Sequence, residues 1–385
     1  MFDPSEIDSV REAVRLCAGQ DRRLLDDLIA DVHRLVPDVR SIRPRSTTAI
    51  SLVASDGGNN ALRFDPFHVQ LVRVVDSYGK QLCLDAVSPT TDPDEISRVQ
   101  FHADGTPKTA LGRLMHDLDV EPRTLDRLSP MIPSGEKVRR DPDAVSPSWV
   151  QVYRDLWEWA VLYERICHRS FATDTLIVRD GQLRSKLFRG ESFIRYRERV
   201  EACIQRIQRE DRRRVFLVGF SKHSQVLDRY QLAMAIEDIF PPGEPRYVPI
   251  PREMEAKAYR WPEYARGAET TEGESPKFVA GDMFFVRFGT RRGDPIWIVD
   301  ILSSQSHAAQ EIFGYLLADA IDGFPVPFYP RCLQKAHEFA QIVDFDLEIL
   351  QDAVMRAVRD MLPDDRRHVL DVADFREDFA QRRYG

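Results

Sequence analysis

The spacing of apolar positions divides the chain before any single residue is singled out. Ile7, Val10 and Val14, then Leu24, Leu25, Leu28, Ile29 and Val32, recur at helical intervals, so residues 5–35 are expected to form two short helices. Three strand-like runs follow, at 47–54, "HVQLVRVVDSY" (68–78) and "KQLCLDAV" (80–87), the last two joined through Gly79 as in an antiparallel meander. Residues 88–148 are rich in Pro, Asp, Ser and Thr. They read as an insertion of low regular content with one short helix near 108–118. From Trp149 the pattern becomes a helix (149–170), the strand "DTLIVRDG" (174–181), a helix (190–210) and the strand "RVFLVGF" (214–220), with Ser221 placed to cap the next helix. A polar, Pro-rich stretch (241–280) leads to a hairpin of "DMFFVRFG" and "PIWIVDIL". Helices then run to about 361, and the chain ends in the tail "FREDFAQRRYG".

That order, three antiparallel strands and then helix, strand, helix, strand, helix, predicts an α/β protein. Its mixed sheet, flanked by helices, has the element order of the RNase H-like fold. Residues 1–45 and 346–385 are helical additions around a core at 46–345.

Composition narrows the class. With 385 residues, 43% hydrophobic and 30% charged, the chain can bury a full core as one large domain with additions, or as two domains. No apolar run approaches the roughly 20 residues that cross a bilayer, so no membrane span is expected. The opening "MFDPSEIDSVREAV" has neither a basic n-region nor an apolar h-region, so no signal peptide is expected either. Cys17, Cys83, Cys167, Cys203 and Cys332 are odd in number, scattered and never in a CxxC pair. They read as reduced thiols of a cytoplasmic protein, not as disulfides or a zinc site. The net charge of −8 argues against a basic coat for nonspecific nucleic-acid binding. A local basic groove remains open, with "REDRRRV" (209–215) and "RFGTRRGD" (287–294) as contributors or as plain solvated faces.

Two segments carry the chemistry that stands out. In "AISLVASDGGNNALR" (49–63) a strand climbs to Asp56 and is expected to stop at Gly57-Gly58. This is either a hairpin turn or a carboxylate delivered at a sheet edge, with glycines leaving room for a phosphate. In "DTLIVRDGQLRSKLF" (174–188) a second strand ends on Asp180-Gly181. Two carboxylates on one edge repel unless a cation lies between them, and phosphodiester cleavage uses such oxygen ligands for divalent metal. Two unrelated Asp-Gly turns are the alternative.

Three further segments are weaker. In "YRDLWEWAVLYERI" (153–166), Glu158 lies between Trp157 and Trp159, either partly desolvated or facing solvent, and Glu164 shares a face with Trp157. In "FPVPFYPRCLQKAHEFAQI" (324–342), His337 rides a helix as metal ligand, general base or packed imidazole. In "VFLVGFSKHSQ" (215–225), Lys222 and His223 follow a strand end where an ammonium can meet a phosphate.

Taken in order, "SDGGNN", "LWEWAVLYERI", "LIVRDGQLRSKLF", "VGFSKHSQ" and "FPVPFYPRCLQKAHEFAQI" resemble the motif series of the NurA nuclease family, over roughly residues 46–345. The resemblance implies an RNase H-like core and metal-dependent cleavage of linear DNA, exonucleolytic with possible single-strand endonuclease action. It implies one or two Mn²⁺ or Mg²⁺ ions on Asp56, Glu158, Asp180 and His337, with Glu164 as the alternative helical ligand and a metal-bound water as the attacking group. Lys222, Gly57 and Gly58 are then the phosphate- or DNA-contacting positions. The implied partners are DNA, a second copy of the chain and a hexameric ATPase of the HerA type that feeds the DNA, since this chain has no Walker A sequence. The setting is end processing for repair or defence against phage. Two other readings stand beside it: a catalytically silent adaptor that binds DNA or the ATPase, and a phosphoesterase acting on nucleotides.

Overall fold

The computed structural model describes residues 4–46, 50–64, 67–259, 277–341 and 344–368. The chain forms two compact units. The first comprises residues 1–54, 169–186 and 190–334, and the second 55–168, 187–189 and 335–385.

The first unit is a mixed sheet with helices on both faces. Strands β1 (Arg40–Ser41), β5 (Thr175–Asp180), β6 (Val215–Ser221), β7 (Arg246–Pro249), β8 (Gly281–Arg287) and β9 (Ile296–Leu302) run in the order β1-β7-β8-β9-β6-β5. Ser51, which opens β2 (Ser51–Phe64), donates its backbone N–H to the carbonyl of Asp174. Only the β5–β6 pair is parallel, and β6 pairs antiparallel with β9. Lying between neighbours and covered on both faces, β6 is buried at every residue, which explains its unbroken apolar run. On one face, α2 (Arg22–His33), α9 (Gln225–Ile236) and α10 (Arg252–Ala258) close a core around Val32, Tyr230, Met254, Phe285 and Ile298. Side chains that alternate to the other face, Tyr247 and Phe284, meet Phe313 of α11 (Ala309–Ala320) at ring separations of 4.7 and 5.3 Å.

The second unit is an antiparallel meander under a long helix. Strand β2 pairs with β3 (Phe67–Asp76), and β3 with β4 (Gln81–Val87). α7 (Trp149–His168) lies on β3 and β4 and also packs on α4 (Ala110–Asp117). Trp149, Tyr153, Leu156, Trp159, Tyr163 and Ile166 are buried along it, and Leu111, Leu114 and Met115 line the facing side of α4. Cross-bonds fix the helix on the meander. Tyr153 Oη donates to Asp85 at 2.6 Å, Arg165 reaches Asp76 at 3.0 Å, and Trp149 Nε1 donates to the carbonyl of Pro89 at 2.9 Å.

Four expectations require correction. The strand through Asp56 does not stop there: β2 continues to Phe64, with Asp56 opposite Val75 and Gly57 opposite Val74. Residues 88–148 are not an irregular insertion. They hold α3 (Pro93–Arg98), α4, α5 (Leu125–Leu128) and α6 (Gly135–Arg140). The polar residues that suggested a loop are in part caps, with Asp92, Thr109 and Ser134 accepting from the first-turn N–H groups of α3, α4 and α6. The stretch 241–280 contains β7 and α10, while 260–276 lies outside the described residues. Ser224, not Ser221, caps α9. Ser221 closes β6 and bonds back to the His223 carbonyl. Of the 47–54 strand, 47–49 lie outside the described residues, as does the tail from 369. The five cysteines form no disulfide.

Candidate active site

In the second unit the two glycines of "SDGGNN" explain how the site is assembled. A Cβ on Gly57 would fall 2.4 Å from Oε1 of Glu158, and one on Gly58 would fall 2.1 Å from the backbone oxygen of Ala340. These glycines therefore serve close approach within a strand rather than a turn. One lets α7 bring a carboxylate onto the sheet. The other lets the end of α12 (Arg331–Ala340) lie directly on β2. His337, one turn before Ala340, then places Nδ1 2.9 Å from Oδ2 of Asp56. The remaining carboxylate oxygen of Asp56 accepts the N–H of Gly57 at 2.8 Å.

The charges at this cluster are unequally exposed. Asp56 and Glu158 side chains are each 11% exposed, whereas His337 is half open to solvent. Arg154, one turn before Glu158 on α7, lies 3.5 Å from its Oε1. Burial alone would pull the Arg154 guanidinium down, but Glu158, Asp155 and Asp56 outweigh that and hold its pKa above the ordinary arginine value. Arg154 was missed in the sequence reading. Its signal was present, because a basic residue four positions before Glu158 on a helix must share its face.

Asp180 belongs to the first unit. Because β5 and β6 are parallel with Asp180 opposite Phe220, both strands release their C-terminal residues at the same edge. Lys222, just past β6, reaches Asp180 Oδ2 at 3.1 Å. The Tyr329 hydroxyl donates to the same oxygen at 3.5 Å, and Lys222 Nζ lies 4.9 Å from the centre of the Tyr329 ring. Tyr329, also missed, closes the "FPVPFY" run. It is held by Phe220 and Trp297, with ring centroids 5.3 and 5.5 Å away. Glu164 lies six residues beyond Glu158 on α7 and is partly exposed.

The structure thus brings Asp56 and His337 into contact, packs Glu158 against the adjoining residue, and pairs Asp180 with Lys222. Among the described residues no three His, Cys, Asp or Glu side chains gather closely enough to hold an ion. The donor chemistry nevertheless suits a hard divalent cation: carboxylate oxygens, with an imidazole alongside and no thiolate.

The chain is similar to solved NurA nucleases. The NurA nuclease from Sulfolobus solfataricus is 13% identical, over 94% of this chain and 99% of that one, with a TM-score of 0.42. NurA bound to dAMP and manganese is 11% identical over 96% and 100%, with a TM-score of 0.41. NurA with manganese is 12% identical over 88% and 97%, with a TM-score of 0.35. No protein-family model matches, and no curated protein does. The functional reading stands on the residues.

Proposed function

We propose that the chain is a metal-dependent nuclease cleaving linear DNA, in which Asp56 and Glu158, with His337 alongside, serve a Mn²⁺ or Mg²⁺ ion and Asp180 is a further metal-binding carboxylate. The observation that carries it is the Asp56–His337 contact at 2.9 Å with Glu158 packed on Gly57. Two strand-to-helix approaches, one against the Glu158 side chain at Gly57 and one against the Ala340 backbone at Gly58, lie beside one aspartate. A fold needing only stability gains little from bringing acidic groups together, because like charges in a part-buried site oppose one another.

In this reading each residue has a task. A divalent ion on these carboxylates would supply charge neutralisation at the phosphate and a more acidic water. Asp56 is the central oxygen donor, and its bond to His337 Nδ1 fixes which face of the imidazole meets solvent. That exposed edge can hold or move a proton. Arg154, kept charged by the surrounding carboxylates, offers a fork to a phosphate oxygen, and Lys222 offers a point charge. Gly57 and Gly58 leave no side chain where α7 and α12 descend.

Apolar side chains exposed among the described residues support the partner reading. Val10, Val14 and Leu16 on α1 (Pro4–Gln20) are 46, 60 and 67% exposed, and Ile349 and Met361 on α13 (Asp344–Met361) are 54 and 62% exposed. Such faces suit a second copy of the chain and a HerA-type hexameric ATPase, in cytoplasmic end processing or defence against phage. No described helix is long and apolar enough to cross a membrane.

The test compares linear duplex DNA, single-stranded DNA and a small phosphoester, each with Mn²⁺ and with EDTA. Metal-dependent loss of the DNA alone supports the nuclease. Turnover of the small ester alone indicates a nucleotide phosphoesterase, and binding without cleavage indicates an adaptor. Glu158→Gln is expected to weaken activity more than Glu164→Gln, and the reverse ranking would move the helical ligand six residues along α7.

A further inference from the structure

The loop between α11 and α12 presents an apolar tip that no packing argument explains. Phe324 is 82% exposed, with Ile321 at 59% and Val326 at 40%. Burying a phenyl ring contributes about 1.5–3 kcal/mol, so a folded chain ordinarily covers it. This loop is not loosely held. Gln334 Nε2 donates to the carbonyls of Val326 and Tyr329, at 3.2 and 3.0 Å, and Tyr329 N–H donates back to Val326 at 3.3 Å. Gly323 donates to Ala320 at 2.9 Å, and a Cβ there would meet the carbonyl oxygens of Tyr329 and Val326 at 2.6 and 2.9 Å. The backbone is clamped while the ring is left in water.

The same loop ends on Tyr329, whose hydroxyl bonds to Asp180 and whose ring lies under Lys222. One short segment of the first unit therefore joins an exposed aromatic face to the carboxylate and ammonium that the functional reading assigns to metal and phosphate. Single-stranded nucleic acid has that alternation of chemistry: a flat apolar base beside each anionic phosphate. Aromatic side chains beside basic groups bind it by stacking, without sequence preference. An exposed ring of this kind suits a splayed base better than a paired one, since bases in a duplex already stack on each other.

We propose that Phe324 is a stacking platform for a base of single-stranded DNA, carried on the clamped 321–329 loop whose other end, Tyr329, lies against Lys222. The inference rests on the nuclease reading and deepens it: the strand engaged at the site is unpaired. Ile321 and Val326 add exposed apolar side chains to the same segment.

The experiment is equilibrium binding of a fluorescein-labelled single-stranded DNA oligonucleotide to the full chain in EDTA, beside an abasic oligonucleotide of equal length. Phe324→Ala is expected to weaken binding of the base-bearing strand about tenfold, in the range found for aromatic platforms. Binding of the abasic strand should be unchanged, and Phe324→Tyr should restore wild-type affinity. Because the side chain is exposed, the alanine variant keeps its packing, and its circular dichroism is recorded beside the binding. Equal affinity of wild type and Phe324→Ala for the base-bearing strand overturns the proposal. So does an equal loss on the abasic strand, which would show a general disturbance of the loop. Cleavage of linear duplex DNA by wild type with Mn²⁺ is measured in parallel. If that cleavage is present while Phe324 has no effect, the nuclease reading stands and only the platform falls. If wild type neither cleaves nor binds DNA, both fall.

Discussion

The first unit contains a charge cluster that contrasts with the one around Asp56. Arg184, Glu255 and Asp300 have fully buried side chains. Arg184 bonds Glu255 at 2.6 Å and reaches Asp300 at 3.3 Å, and Arg252 adds a second cation to Glu255 at 3.0 Å. The Leu183 N–H donates to Asp300 at 2.8 Å. Burial would lower the Arg184 pKa, but Asp300 and Glu255 more than reverse it. Burial raises Glu255, and Arg184 and Arg252 recover only part of that cost. Around Asp56 the balance is different. His337 is half exposed, and Arg154 stands near both Glu158 and Asp56. A sealed cluster with matched charges can do little except hold the fold in one arrangement. An open one with surplus carboxylate can still accept a cation.

The largest effect that could break this contrast is on activity. Asp56→Ala removes the aspartate held by His337, and DNA cleavage with Mn²⁺ is expected to fall by more than about a hundredfold, beyond what loss of a supporting residue costs. Its urea midpoint should stay close to wild type, since removing one carboxylate relieves repulsion near Glu158. Cleavage at the wild-type rate would remove Asp56 from the site.

Arg184→Met should show the opposite profile. It leaves Glu255 and Asp300 buried without their shared cation, a loss of about 3–5 kcal/mol in other proteins. Denaturant unfolding at neutral pH measures it. A variant as stable as wild type would mean that the network is not the structural half of the comparison.

The glycines sharpen the contrast at an intermediate scale. Gly58→Ala forces a Cβ onto the Ala340 backbone oxygen, so α12 must shift, at about 1–3 kcal/mol of overpacking. Gly57→Ala meets the end of the Glu158 side chain and, at 3.2 Å, Arg154 Cδ, both of which are flexible side chains that can move. Gly58→Ala is therefore expected to lower both stability and cleavage, and Gly57→Ala chiefly cleavage. Unfolding midpoints and rates for the two variants separate the cases, and equal stability losses would contradict the geometry.

These positions also show what the sequence made legible. Helix and strand periodicity located α7, β5, β6 and the β8–β9 hairpin, because each buries a continuous face. The Asp-Gly pair at 56–57 predicts a strand end because local turn chemistry favours it. Only tertiary approach, by Glu158 and by Ala340, reveals why glycine stands there within a strand. Short helices between 93 and 140 were hidden because their caps use the same Asp, Ser and Thr residues that mark loops. Residues such as Tyr329, which act through contacts far away in sequence, leave no periodic trace.

Asp31 lies between the two extremes and gives the smallest expected effect. On α2 its carboxylate, 6% exposed, receives Lys257 Nζ at 2.7 and 2.6 Å, an Arg34 guanidinium and the Tyr230 hydroxyl at 3.3 Å. Burial pushes its pKa up, but the hydrogen bonds and charges of Lys257 and Arg34 prevail and leave it below the ordinary aspartate value. A carboxylate with a depressed folded pKa contributes stability that is fully present above its unfolded pKa, near 4, and is lost as pH falls through the folded value. Asp31→Asn cannot ionise, so its stability should vary less between pH 5 and pH 2 than that of wild type. Asp174 retains a share of the acid dependence in both proteins, since burial raises its pKa but Arg214 lowers it further. Urea midpoints for both chains across that range make the comparison. Parallel curves would show that Asp31 belongs with the open, weakly coupled charges and not with the sealed network.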